Sequence, residues 1–109
     1  MPFKDKRPAL LLVDDEPANL HVLKHILQDD YRLLFARDGQ RALELAAAER
    51  PQLILLDVML PGIDGMELLR RLRRQHATPV LMMSAQGDEG HRIAGFDGGA
   101  DDYLPKPFS

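Results

Sequence analysis

Acidic residues follow two apolar runs of the sequence and could together bind a metal ion. The acidic segment 14–16 comes directly after the apolar run 9–13, and Asp57 comes directly after the apolar run 53–56. Such runs are typical of buried parallel strands, and ligands of open α/β sheets bind beyond the carboxyl ends of the strands. If these strands are neighbours, at least three carboxylates meet there, and Mg²⁺ is the cation that suits them.

A structural interpretation of segment 14–16 is also open, because acids in front of a helix can cap it and interact with its dipole. Capping does not explain Asp57, which ends an apolar run shortly before Pro61 and Gly62. Asp57 therefore favours the interpretation of a metal site.

Two more polar residues follow predicted strands and would extend this site. Ser84 comes directly after the apolar run 80–83, and Lys106 follows the short strand candidate 102–104. Alone, Ser84 is typical of a turn and Lys106 of a solvated surface. Together with a metal-bound carboxylate they suit phosphoryl transfer, with the aspartate as nucleophile, the cations on the phosphoryl oxygens and the hydroxyl as hydrogen-bond donor.

The elements that position these residues alternate between strands and helices. Apolar runs predict strands at 9–13, 31–36, 53–56, 80–83 and 102–104. Helical periodicity predicts helices at 17–28, 40–49, 64–75 and 89–96. Their expected inward residues are Leu20, Leu23 and Leu27, then Leu43, Ala46 and Ala47, then Leu68, Leu69 and Leu72. Asp64 is the expected N-cap of the third helix. The order predicts an α/β, doubly wound parallel sheet with right-handed crossovers.

Composition excludes several other classes of protein. The 109 residues are 45% hydrophobic and 28% charged, with a net charge of −3, which fits one folded domain and argues against a nucleic-acid or membrane-surface module. The chain contains no cysteine, so it has neither disulfides nor thiolate metal ligands. No apolar run approaches the roughly 20 residues of a membrane span, and the first residues lack a signal peptide, so we expect a cytoplasmic protein.

Four arginines at 70, 71, 73 and 74 are the one feature that points toward nucleic acid. On a helix with an apolar inward face they are more simply a solvated surface, with Glu67 available to Arg71. A nucleotide-binding module of the same architecture is disfavoured, because segment 14–16 is acidic where a loop rich in glycine would bind phosphate.

The motifs together resemble the receiver domain of bacterial two-component response regulators. They are Leu-Val-Asp-Asp-Glu at 12–16, Asp-Val-Met-Leu-Pro-Gly-Ile-Asp-Gly at 57–65, Met-Ser-Ala at 83–85 and Gly-Ala-Asp-Asp-Tyr-Leu-Pro-Lys-Pro-Phe at 99–108. The match covers essentially the whole chain in order and spacing. The resemblance implies a flavodoxin-like sheet of five strands in the order 2-1-3-4-5.

The resemblance also implies a role for each matching residue. Asp57 would be the phosphoacceptor. The Mg²⁺ ligands would be Asp14, Asp15, Asp57 and the backbone carbonyl of Met59. The residues that contact the phosphoryl group or switch would be Ser84, Lys106 and Tyr103. Ser84 stands where threonine is commoner in the family and keeps the hydroxyl.

The implied activity is that of a signalling switch, and not of a classical enzyme. A histidine kinase or histidine phosphotransfer protein would donate the phosphoryl group, and the domain would assist its own phosphorylation and dephosphorylation. An output domain would follow residue 109, and the receiver itself would bind neither nucleic acid nor membrane. A phosphorylation-independent interaction domain is the main rival, although such domains typically lose an acidic, acceptor or lysine position that this chain keeps. A small-molecule phosphatase would need a further acid or base.

We predict one receiver domain over 1–109 that lacks the last helix of the family pattern, since the sequence stops soon after the fifth strand. An apolar flank of the sheet beside the first helix would then be bare. Such a patch favours lower stability or a homodimer.

Overall fold

A parallel sheet of five strands forms the centre of the molecule. The computed structural model describes residues 6–57 and 64–85, with only the backbone at 84–85, and the backbone of 102–106. The strands are β1 (Ala9–Val13), β2 (Arg32–Ala36), β3 (Leu53–Asp57), β4 (Val80–Ala85) and β5 (Asp102–Lys106). All neighbours pair in parallel, in the order β2-β1-β3-β4-β5. The predicted α/β doubly wound sheet and its strand order 2-1-3-4-5 are confirmed.

Three helices in the described residues cover the two faces of the sheet. They are α1 (Pro17–Leu27), α2 (Gly39–Glu49) and α3 (Gly65–Gln75). Each has 11 residues, and no helix in the described part of the chain is long and apolar enough to cross a membrane. The helix predicted at 89–96 lies outside the described residues.

The core has two layers because successive strand residues point to opposite faces of the sheet. Leu11, Ile54 and Met82 belong to the cluster that includes the buried residues of α2 and α3. On the other face, Leu12 and Leu55 pack with α1. β1 is buried along its whole length, which explains why its sequence is continuously apolar. The central strands are therefore packed on both faces, and their carboxyl ends lie together at one end of the sheet.

Local sequence accounts for the helix boundaries. Pro17 stands in the first turn of α1, where its missing N–H costs nothing. Arg50 ends α2 in a left-handed conformation with φ of 48°, directly before Pro51. Asp64 caps α3 as predicted, since its carboxylate accepts the Met66 N–H at 2.8 Å.

The inward face of α2 differs from the prediction. Ala42 and Ala46 are buried, whereas Leu43 is partly buried and Ala47 is exposed. Alanines occur on several sides of this helix, so the sequence contrast between its faces is weak, and packing against β1, β2 and α3 decides its rotation. The inward residues of α3 are as predicted, and α1 buries Leu20 and Leu23 with Leu27 partly covered.

Three strands extend further than their apolar runs. β3 includes Asp57, β4 continues to Ala85, and β5 continues to Lys106, whereas β2 begins one residue later than predicted. A strand is defined by its backbone hydrogen bonds, so it can include the polar residues at its end. The candidate site residues Asp57, Ser84 and Lys106 are thus held by the sheet itself.

Candidate functional site

The carboxyl end of β1 directs Asp14 into the interior. Its backbone N–H donates to the Ala36 carbonyl of β2 at 3.0 Å, which continues the sheet pairing one residue beyond the strand. Its side chain is fully buried, at 0% exposure. One carboxylate oxygen accepts the Glu16 N–H at 3.0 Å, and the other accepts the Asn19 side-chain amide at 3.2 Å. The orientation of Asp14 is thus fixed by contacts on both oxygens.

The capping interpretation of segment 14–16 does not account for this arrangement. Glu16 occupies the N-cap position of α1, and its side chain makes no capping hydrogen bond. It accepts the Asn19 amide at 2.6 Å instead. Asp14 lies two residues before the cap and is buried, so helix capping does not explain why a carboxylate stands there.

Asp57 lies beside Asp14 because β1 and β3 are neighbours. Val13 pairs with Leu56, so the next residue of each chain segment lies side by side. Asp57 is only 4% exposed, whereas Asp15 is exposed. Asp14, Asp15 and Asp57 each offer a carboxylate oxygen, and these oxygens lie within 4.8 Å of one another. The sequence prediction that the acids at two strand ends converge is confirmed.

This triad, Asp14 with Asp15 and Asp57, could hold a metal ion. Buried carboxylates are stable only when charge or hydrogen bonds compensate them, and three at such close range repel one another. Carboxylate oxygens are hard ligands of the kind that Mg²⁺, Mn²⁺ and Ca²⁺ prefer. The exposed Asp15 leaves the group open to solvent, so an ion or an anionic substrate has access.

The backbone places Ser84 and Lys106 at the same end of the sheet. Asp57 pairs with Met83, so Ser84 is the next residue along the adjacent strand. Ser84 is paired with Pro105, and Ala85 with Lys106. Tyr103 is paired with Met82, further from that end. Met59 and the side chains of Ser84, Tyr103 and Lys106 lie outside the described residues.

Two residues at this site were missed by the sequence reasoning. Asn19 donates to both Asp14 and Glu16, and the guanidinium of Arg37 donates to the Asp15 carbonyl at 3.3 Å. Asn19 has a sequence signal, since it is an amide in the first turn of a helix that follows an acidic segment. Arg37 has none, because its proximity depends on the pairing of β2 with β1.

A family comparison identifies this combination of sheet and acidic triad. The model of the response regulator receiver domain matches residues 10–109. This chain belongs to that family. The receiver domain is the phosphoacceptor module of two-component response regulators and acts as a signalling switch, and the predicted resemblance is thereby confirmed.

Individual relatives agree with the family match. The chain is 53% identical over 103 residues to the transcriptional activator protein PfeR of Pseudomonas aeruginosa, covering 94% of the chain and 34% of that protein. It is 42% identical over 101 residues to the transcriptional regulatory protein ResD of Bacillus subtilis, covering 92% of the chain and 42% of that protein. The chain thus spans less than half of the length of these regulators.

A solved structure agrees in fold over nearly the whole receiver. The chemotaxis protein CheY4 of Vibrio cholerae superposes with a TM-score of 0.88 at 33% identity, covering 94% of this chain and 89% of that one. The receiver fold is therefore found both in larger transcriptional regulators and in a chemotaxis protein of nearly the same length as this chain.

Proposed function

We propose that Asp57 accepts the phosphoryl group in this receiver. The observation that carries the proposal is the position of Asp57, buried at the end of a central strand with its carboxylate within 4.8 Å of those of Asp14 and Asp15. In the transfer, an oxygen of Asp57 attacks phosphorus and a new O–P bond forms. The P–N bond of the donor phosphohistidine breaks, and the imidazole nitrogen keeps the electron pair.

Mg²⁺ is the ion we propose for the triad. Asp14, Asp15 and Asp57 would hold it, with the backbone carbonyl of Met59 as a further ligand. Their carboxylate oxygens lie within 4.8 Å of one another, so one ion could draw them together as shared ligands. When bound, Mg²⁺ lowers the repulsion between the carboxylates and an anionic donor.

Ser84 and Lys106 are proposed to contact the phosphoryl group. The strand register supports this assignment, because the backbones of both residues lie at the same end of the sheet as Asp57. A lysine ammonium would neutralise the phosphoryl oxygens, and a hydroxyl would donate a hydrogen bond to them.

Phosphorylation is proposed to switch the domain through Ser84 and Tyr103. The phosphoryl group adds close to two negative charges and strong hydrogen-bond acceptors. Ser84 would move toward it, and Tyr103 would rotate into the space that is vacated, which changes the surface around β5. Hydrolysis reverses the switch, since water attacks phosphorus, the acyl phosphate O–P bond breaks, and the Asp57 carboxylate is regenerated. A few kcal/mol suffice to exchange the populations of two such states.

The partners follow from the same proposal. A histidine kinase or histidine phosphotransfer protein donates the phosphoryl group in the cytoplasm. The transcriptional relatives are more than twice as long as the matched segment, which supports an output domain beyond residue 109. The receiver itself is proposed to bind neither DNA nor membrane. Self-association into a homodimer stays a prediction, supported by the partly buried Leu53 and Leu81 on the α1 side of the sheet.

The experiment is an intact-mass measurement after incubation with acetyl phosphate, with and without Mg²⁺. The wild-type protein should gain one phosphoryl group only when Mg²⁺ is present, and Asp57→Asn should gain none. Asp29→Asn is the matched control, because Asp29 is exposed just beyond α1 and should not affect the reaction. A folded wild-type protein that gains nothing and binds no Mg²⁺ would favour a phosphorylation-independent interaction domain.

A further inference from the structure

The end of β2 and the residue after it are joined to the backbone of Asp14 and Asp15 by two hydrogen bonds. The Asp14 N–H donates to the Ala36 carbonyl, and one residue later the Arg37 guanidinium donates to the Asp15 carbonyl. Ala36 is buried and Arg37 is exposed, so the strand fixes the backbone while the side chain extends along the surface. The second strand thereby brings a cation within hydrogen-bond distance of the backbone of Asp15, the exposed member of the triad.

The side chain of Arg37 ends in a guanidinium cation. The contact with Asp15 is to a neutral carbonyl, so it holds the side chain without neutralising it. A guanidinium has five N–H donors in a fixed fork, and this contact occupies one of them. It is the sole hydrogen bond or ion pair that the described part of the chain gives Arg37.

A fixed cation at this position has opposite effects on the two species that enter the site. It repels a divalent metal ion, and it attracts an anionic phosphodonor. The attraction grows with the charge of the donor, so the same residue also discriminates between donors of different charge.

We propose that Arg37 is a specificity-determining residue of the phosphotransfer site: it weakens Mg²⁺ binding and favours the more highly charged phosphodonor. This inference rests on the proposed function of Asp57. The class of ligand it recognises is a phosphoryl dianion, and the recognition is through the positive charge of Arg37.

The test compares Arg37→Gln and Arg37→Lys with the wild-type protein. Glutamine removes the charge and keeps a polar amide, whereas lysine keeps the charge without the fork. Arg41→Gln is the matched control, because it removes an equal charge from an exposed residue whose guanidinium lies 3.6 Å from Glu44. Mg²⁺ affinity is measured by calorimetry. Phosphorylation rates at saturating Mg²⁺ are measured by intact mass with acetyl phosphate, a dianion, and phosphoramidate, a monoanion.

Arg37→Gln should bind Mg²⁺ about three- to tenfold more tightly at low ionic strength, as one exposed unit charge near a divalent ion allows. Its rate with acetyl phosphate should fall about three- to tenfold, and its rate with phosphoramidate about two- to threefold. Arg37→Lys should stay within about twofold of the wild-type protein on all three measures. Raising the salt concentration from about 50 to about 500 mM should remove most of the difference between Arg37→Gln and the wild-type protein.

Two outcomes would overturn the proposal. In one, Arg37→Gln changes Mg²⁺ affinity and rates no more than Arg41→Gln does, so that Arg37 is a surface residue only. In the other, Arg37→Lys changes the Mg²⁺ affinity and the phosphorylation rates as much as Arg37→Gln does, so that Arg37 contributes through its geometry and not through its charge. If the wild-type protein takes a phosphoryl group from neither donor, the proposed function of Asp57 fails, and the Mg²⁺ titration still decides the role of Arg37.

Discussion

The acidic triad and the arginines of α3 are both clusters of like charge, but most of the triad is buried and most of the arginines are exposed. The triad joins residues at the carboxyl ends of β1 and β3, and Asp14 and Asp57 are 43 positions apart in sequence. Asp14 and Asp57 are buried, whereas Asp15 is exposed. The arginines 70, 71, 73 and 74 lie on one helix whose inward face is apolar, and only Arg73 is partly buried. Like charge that converges and is buried must be compensated by hydrogen bonds or by an opposite charge, whereas like charge that stays in solvent is compensated by water.

Contacts within the two regions support this contrast. Arg70 pairs with Glu67 at 3.3 Å, and Arg73 donates to the Thr78 carbonyl, so these arginines bind groups next to them in sequence. The sequence analysis had Glu67 available to Arg71 four positions on, and in the structure Glu67 pairs with Arg70 three positions on. The acids of the triad instead meet through the sheet. A large separation in sequence together with burial therefore distinguishes the acidic triad from the surface arginines.

The largest expected effect concerns Asp14→Asn. In the wild-type protein, Mg²⁺ at about 100 times its Kd should raise the free energy of unfolding by about 2.7 kcal/mol, because the ion binds only the folded state. Asp14→Asn should lose most of this stabilisation, since it removes a charged ligand while keeping the shape of the side chain. Denaturant titration with and without Mg²⁺ measures it. Equal stabilisation by Mg²⁺ in both proteins would remove Asp14 from the metal site.

An intermediate effect is expected for Asp64→Ala, an acid with a structural role. Its carboxylate accepts the Met66 N–H at the start of α3, so its loss should lower the free energy of unfolding by about 1 kcal/mol. The loss should be the same with and without Mg²⁺, which distinguishes a helix cap from a metal ligand. Asp64→Asn is the control, because asparagine also caps helices. A loss of stability that depends on Mg²⁺ would show that Asp64 contributes to the metal site and is not only a helix cap.

The smallest effect is expected for the double variant Arg71→Gln and Arg74→Gln. Both side chains are exposed, so the free energy of unfolding should change by less than about 0.5 kcal/mol. The rate of phosphorylation by acetyl phosphate should be unchanged, and neither protein should bind duplex DNA in a gel-shift assay. DNA binding by the wild-type protein that the double variant loses would show that these arginines form a nucleic-acid surface after all.

The sheet was readily predicted from the sequence because its strands are buried on both faces. The run Ala9–Val13 has the same bounds as the strand in the structure. The length of β4 and β5 was underestimated, because apolarity stops at Met83 and Leu104 while backbone pairing continues to Ala85 and Lys106. The rotation of α2 could not be predicted, since its alanines give little contrast between faces.

The triad could be predicted because strand ends that carry acids must meet once the strands are neighbours. The two supporting residues depend on more specific packing. Asn19 reaches Asp14 only in the turn that α1 adopts, and Arg37 reaches Asp15 only because β2 pairs with β1. Periodicity describes which side of an element is buried, and it contains no information about a long polar side chain that crosses from one turn to the next.

The most direct test of the central claim locates the phosphoryl group on the chain. The protein is phosphorylated with acetyl phosphate and Mg²⁺ and then reduced with borohydride, which converts an aspartyl phosphate into homoserine. Peptide mass mapping then identifies the reduced residue. We predict homoserine at position 57 and unmodified aspartate at positions 14 and 15. Homoserine at Asp14 or Asp15 with Asp57 unmodified would contradict the assignment of the nucleophile.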